Sequence, residues 1–166
     1  RSQQGYFVAL APADFLNADK SQIHIISWSS TVIRRVCRST LQAETFAMIK
    51  GTEQGAKIRA SVVDCKGLLD IKHWEQSAGE NMSHVWVTDC ESLYEHLIAT
   101  RSNHVDNKRL EIDLQALRQY VWERSGERTD VVDSNSGDYP RWIDTSTMLA
   151  DPLTKNMLPQ KLVQTM

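Results

Sequence analysis

No run of apolar residues in this chain comes near the ~18 that a membrane-spanning helix requires, so the sequence offers no transmembrane candidate. The opening residues, Arg1 to Gly5, carry neither an initiator methionine nor the apolar core of a signal peptide. A chain that begins at Arg1, on the approach to a strand, reads as an excised or incomplete piece. Cysteine is scarce: Cys37, Cys65 and Cys90 are odd in number, form no CxxC pair and stand at no zinc spacing with the five histidines. That argues for a reducing, intracellular location rather than secretion. A strong charge excess is lacking too. With a net charge of −2 the chain is no polycation, so a nucleic-acid partner would be held by local basic contacts. Internal repeats and low-complexity tracts are absent.

What is present is an ordinary globular composition. The 166 residues are 41% hydrophobic and 24% charged, enough for one domain over 1–166 with a real core. Apolar runs over 5–10 and 23–28, joined by a polar loop, predict an antiparallel strand pair. Ser39 with Gln42 three residues later has the spacing of a reciprocal capping box, and no proline follows before about Val63. That predicts a long helix, broken near Gly67 from a second helical piece over 68–80. The run 84–88 reads as a strand buried on both faces, with Trp28, Trp86 and Trp142 as core residues of their strands. A helix over 91–99 follows. Asp106 is expected to cap a longer helix whose apolar stripe is Leu110, Leu114, Leu117 and Val121, ended by Gly126. The stretch 129–140 is turn-rich and read as loop, 141–143 as a last strand, and 147–155 as the opening of a terminal helix interrupted at Pro152. The order is that of an α/β fold with a mixed sheet and helices on its faces.

Three acidic residues stand at element termini. Glu44 lies near the start of the first long helix, Asp89 directly follows the 84–88 strand, and Asp151 sits between Ala150 and Pro152 in the last element. Each has a simple explanation alone: the helix dipole favours an early carboxylate, and aspartates cap helices and turns. Together they suggest a site. Carboxylates ~4 Å apart at an effective dielectric of ~20 repel by about 4 kcal/mol per pair, so such a cluster makes sense when cations occupy it. Phosphodiester hydrolysis uses two divalent cations roughly 3.5–4 Å apart, and Mg²⁺ takes hard oxygen ligands.

The words around these acids carry a family resemblance. Ser39-Thr40-Leu41-Gln42-Ala43-Glu44 resembles the "SSTEAEY" helix start of copia-type retrotransposon ribonucleases H. Thr88-Asp89-Cys90-Glu91-Ser92 is similar to their "CDNxSA" turn. Trp142-Ile143-Asp144-Thr145, followed by Leu149-Ala150-Asp151-Pro152-Leu153-Thr154-Lys155, is similar to "WVPTxxQLADxLTK" and is the most specific of the three. Ile26-Ser27-Trp28-Ser29-Ser30 resembles "ISWKSKKQ". The resemblance covers nearly the whole chain. It implies a ribonuclease H-like α/β fold in which Glu44, Asp89 and Asp151 bind two Mg²⁺ ions (Mn²⁺ as a substitute) and hydrolyse the RNA of an RNA–DNA hybrid during reverse transcription. It also implies an upstream reverse transcriptase domain in the same polyprotein as a partner, and no membrane partner.

Departures accompany the resemblance. The family's first metal ligand lies in a "DADWA"-like central strand just before the segment that resembles Arg1 to Tyr6, and here that strand is missing. Asp14 and Asp19 lie in a loop and are no evident substitutes. The family's "KHI" segment is replaced by Val105 to Leu110, and no histidine precedes Asp151 closely enough to match the mobile histidine of some cellular ribonucleases H. The isolated chain is therefore expected to cut weakly or not at all. The alternative function is a non-catalytic retroelement relic that binds nucleic acid or packs on a reverse transcriptase. An integrase or transposase of the same superfamily orders its acids differently, with Glu last.

Arg34, Arg35 and Arg38 precede the Glu44 helix and are candidate phosphate contacts, as are Lys108, Arg109 and, more remotely, Arg118 on the later helix. Lys155 beside the last acid could contact a phosphate or simply sit on a helix surface.

Overall fold

The N-terminal strands, β1 (Gln3–Leu10) and β2 (His24–Val32), pair antiparallel as expected, each longer than its apolar run. Gln3 lies opposite Val32 and Phe7 opposite Trp28; a bulge after Val8 shifts the register so that Ala9 faces Ile25. Burial in β2 alternates with the period of two that a pleated strand imposes. The face carrying Ile26 and Trp28 is the open one. Trp28 is 68% exposed, which corrects its expected core position; among the described residues this face is covered only farther along, at Gly5 and Ser30, by residues 153–154. These strands belong to a computed structural model that describes residues 2–15, 21–101, 104–122 and 138–155. The expected Gly126 stop and Asp19 fall outside those residues.

Helix α1 (Thr40–Cys65) is fixed at both ends by local chemistry. The Ser39 hydroxyl accepts from the Gln42 N–H at 3.2 Å, while Gln42 Oε1 accepts from the Arg38 N–H at 2.9 Å, one residue earlier than the reciprocal cap requires. At the far end Gly67 takes φ +69; its N–H bonds Asp64 O and the Leu68 N–H bonds Val63 O. That double closure needs a left-handed residue, and glycine adopts it without a Cβ penalty. The second helical piece starts later than expected. Leu68 to Asp70 are non-helical, a 3₁₀ turn occupies Ile71–His73 under an Asp70 cap, and α2 covers Trp74–Asn81.

Strands β3 (His84–Thr88) and β4 (Asp138–Trp142) pair in parallel, His84 opposite Asp138 and Thr88 opposite Trp142. β4 begins inside the stretch read as loop. Asp138 and Pro140 look like turn residues, but β4 has a single hydrogen-bonded neighbour among the described residues, and proline is tolerated at such an edge. Trp86 is buried as expected, whereas Trp142 is 44% exposed. Helices α3 (Glu91–Ile98) and α4 (Lys108–Trp122) close the core: Leu93 and Leu97 meet Trp86, Leu110, Leu114, Leu117 and Val121. The α4 stripe is as its spacing predicts, but its cap is Asn107, whose Oδ1 accepts from the Arg109 and Leu110 N–H groups, and not Asp106.

The expected terminal helix over 147–155 is absent. Two 3₁₀ turns stand there, Thr145–Thr147 and Asp151–Leu153, separated by extended Met148. Asp144 caps the first through the Ser146 N–H, and Pro152 cannot donate within a continuing α-helix. The architecture is mixed α/β with small sheets. Among the described residues the strands form two separate pairs, not one continuous mixed sheet, and α1 packs against both β1 and β3. No helix among them is long and apolar enough to cross a membrane.

Candidate active site

Glu44, Asp89 and Asp151 reach one region from three separate elements. Glu44 is the fifth residue of α1, just past the first turn in which the helix dipole favours a carboxylate, so the dipole does not explain it. Asp89 follows β3 directly. It does not cap α3, because the N-cap is Cys90, whose N–H is taken by Thr88 Oγ1 at 3.1 Å. The backbone around Asp89 is tied to the end of β4: the Trp142 indole N–H donates to Asp89 O at 3.2 Å and the Ile143 N–H to Thr88 O at 3.0 Å. Trp142 is exposed because its ring serves this junction and not the core.

Asp151 opens the second 3₁₀ turn, which is seated on β1. Ser30 Oγ and Gln3 Nε2 both donate to Leu153 O, the latter at 3.3 Å. Gly5 makes the close approach possible: a Cβ there would lie 2.8 Å from Leu153 Cβ and 2.9 Å from Thr154 Cγ2. The Asp151 carboxylate bonds Lys155 Nζ at 2.7 Å.

Glu44 feels the charges of the other two acids. The Glu44 pKa is raised above 4.5, first by burial and then by the charges of Asp89 and Asp151, with Lys155 opposing. The side chains nevertheless do not close on one point: among the described residues no group of three His, Cys, Asp or Glu is drawn tightly enough to hold a metal ion. The donor set itself, three carboxylates with mutual repulsion to relieve, suits a hard divalent cation such as Mg²⁺.

The basic candidates are distributed differently. Arg34, Arg35 and Arg38 are exposed on the connector from β2 to α1, where Ser2 and residues 31–37 line an open cavity of about 900 Å³. Arg35 also lies 5.6 Å above the Phe46 ring. Lys108 and Arg109 are exposed on the first turn of α4. Arg118 is engaged within the fold: it donates to His96 O, lies 5.8 Å from the Trp122 ring, and burial lowers its pKa.

A polar network missed in the sequence lies at the other end of β3 and β4. Arg59 of α1 holds Asp138 through both carboxylate oxygens, and His84 Nδ1 lies 3.1 Å from Asp138 Oδ1. Trp86 Nε1 is also 3.1 Å from His84 Nδ1. A protonated Nδ1 donates to Asp138 and an unprotonated one accepts from the indole, so only one of the two contacts is a hydrogen bond in a given tautomer. No periodicity or motif marks these residues, because their partners are 79 and 54 positions apart.

Comparison with protein-family models, with curated proteins and with solved structures finds no match to this chain.

Proposed function

We propose that this chain is a ribonuclease H-like domain of copia type, acting on the RNA strand of RNA–DNA hybrids with divalent metal. The observation that supports the reading is that Glu44 on α1, Asp89 at the end of β3 and Asp151 in the turn after β4 share one field: the Glu44 pKa is raised by burial first and then by the charges of the other two. Surface acids placed for solubility have no reason to share a field at such a cost.

In this reading Glu44, Asp89 and Asp151 hold two Mg²⁺ ions, or Mn²⁺ in their place. When bound, such a pair supplies an activated water and neutralises charge on the attacking and leaving oxygens. The protein's own contribution is placement. The Trp142 and Thr88 contacts hold the Asp89 backbone, and Ser30, Gln3 and Gly5 seat the Asp151 turn. Arg34, Arg35 and Arg38, with Lys108 and Arg109 as a second group, would track hybrid phosphates, so affinity should fall with rising salt. A reverse transcriptase domain of the same polyprotein is the proposed macromolecular partner.

The second reading, a non-catalytic relic that binds nucleic acid or packs on a polymerase, is favoured by one observation: the described side chains form no ready three-ligand metal group. One assay separates the two. A labelled RNA–DNA hybrid is incubated with the protein in Mg²⁺ or Mn²⁺, beside Asp89→Asn. Cutting, however weak, that Asp89→Asn abolishes supports the nuclease reading; hybrid binding that is indifferent to divalent metal and unchanged in Asp89→Asn supports the relic.

A further inference from the structure

Lys155 stands where the carboxylates most need a positive charge. Its Nζ lies 2.7 Å from Asp151 Oδ2, and the Asp151 side chain is only 12% exposed. An i,i+4 pair on an open surface is normally a weak contact. This one differs because its carboxylate is largely withdrawn from water and belongs to the group of acids whose charges act on Glu44.

We propose that Lys155 is the resident counter-cation of the Glu44, Asp89 and Asp151 cluster, and that a divalent cation entering the cluster must displace it from Asp151. This rests on the metal-binding reading of those acids. Lys155 thereby sets the metal affinity of the free protein, because the entering ion competes with a charge already in place. The lysine stem is flexible and its ammonium is a compact point charge, half exposed at 50%, so it can leave Asp151 without disturbing the turn. Released, it needs a new anionic partner, and a phosphate of a bound hybrid supplies one. Metal loading and hybrid binding are then coupled through one side chain, and the coupling is reciprocal.

The test compares wild type with Lys155→Met, which keeps the stem and removes the charge, and Lys155→Arg, which keeps the charge. Mn²⁺ binding is followed by the electron spin resonance of the free ion, without nucleic acid and then with a hybrid whose RNA strand is 2′-O-methylated and cannot be cut. Without nucleic acid, Lys155→Met should bind Mn²⁺ about tenfold more tightly than wild type, equivalent to about 1.4 kcal/mol, and Lys155→Arg within about twofold of it. The hybrid should tighten Mn²⁺ binding in wild type and do so less in Lys155→Met. The Lys155 ¹³Cε resonance, assigned by its loss in Lys155→Arg, should move as Mg²⁺ saturates the wild type. Equal Mn²⁺ affinity in wild type and Lys155→Met, no binding to either, or an unmoved resonance would overturn the proposal. If affinities follow the expected order while the hybrid is neither bound nor cut by any of the proteins, the nuclease reading fails and the exchange of Lys155 for metal stands. If the hybrid is cut while the affinities are equal, the nuclease reading stands and the exchange fails.

Discussion

The Arg59 guanidinium grips the Asp138 carboxylate through two hydrogen bonds of 3.0 and 3.2 Å, with both side chains almost wholly withdrawn from solvent. Arg59 lies in the second half of α1 and Asp138 is the first residue of β4, so the pair pins the long helix to the parallel strands. His84, opposite Asp138 in the register, brings Nδ1 to 3.1 Å from Oδ1, the oxygen that one Arg59 nitrogen also holds. Breaking a buried pair leaves the surviving charge without compensation. Arg59→Met and Asp138→Asn should therefore each cost about 3–5 kcal/mol, and replacing both with apolar residues should cost less than the sum. Urea unfolding measures this directly; losses below about 1 kcal/mol in both single variants would mean the pair behaves as a surface contact.

Gly55 and His84 give a second constraint on the same interface. A Cβ at Gly55 would lie 2.2 Å from His84 Nε2, so α1 carries glycine where the imidazole presses on its backbone. In an exposed helix Gly→Ala stabilises by up to about 1 kcal/mol. Here the sign should reverse, with a loss of about 1–3 kcal/mol from overpacking. The loss should shrink in a His84→Ala background, which removes the obstructing ring. A stabilised Gly55→Ala protein would show that the imidazole turns aside freely.

The parts of this fold legible in sequence are those decided locally. Ser39, Gln42 and Gly67 delimit α1 because a cap is chemistry between residues a few positions apart, and the Leu110 to Val121 stripe shows which face of α4 is buried. Burial of strand residues is decided by what covers the strand. The Trp28 and Trp86 runs look alike, yet Trp28 is open and Trp86 is enclosed by α3 and α4. Asp138 and Pro140 have turn-like identities, and only pairing with distant β3 makes them a strand. The carboxylates stand out in sequence by their place at element ends and by the words around them. Their convergence depends on how α1, β3 and the last turn pack, which no spacing encodes, whereas the Lys155 contact to Asp151 is local, between residues four positions apart.

Gly5 should matter to the site more than its position in a strand suggests. The missing Cβ is what lets Leu153 and Thr154 sit against β1, and Leu153 O is where Ser30 and Gln3 anchor the Asp151 turn. Gly5→Ala should cost about 1–3 kcal/mol from overpacking and push the turn outward. A displaced Asp151 would weaken Mn²⁺ binding, with Asp151→Asn as the reference for complete loss of that ligand. Unchanged stability and metal affinity in Gly5→Ala would mean the turn is not held by this approach.

Glu44 supplies the last prediction, and its sign follows from linkage. Its folded-state pKa is raised above 4.5, by burial first and by Asp89 and Asp151 second, so the folded protein holds the proton more tightly than the unfolded chain. That contribution is fully present below about pH 4.5 and is lost as pH rises through the folded-state pKa. At neutral pH, without metal, the ionised carboxylate therefore burdens the fold. Glu44→Gln resembles the protonated form and should be more stable than wild type at pH 7, with the two converging near pH 4. Divalent cations should reverse the order: saturating Mg²⁺ relieves the repulsion only where the carboxylate remains, and ligand binding to the native state raises its melting temperature. Thermal unfolding of both proteins at pH 4 and pH 7, in chelator and in excess Mg²⁺, tests every part. A Glu44→Gln protein less stable than wild type at pH 7 in chelator would mean that the carboxylate is satisfied by donors in the fold, and a cation at this cluster would lose its electrostatic basis.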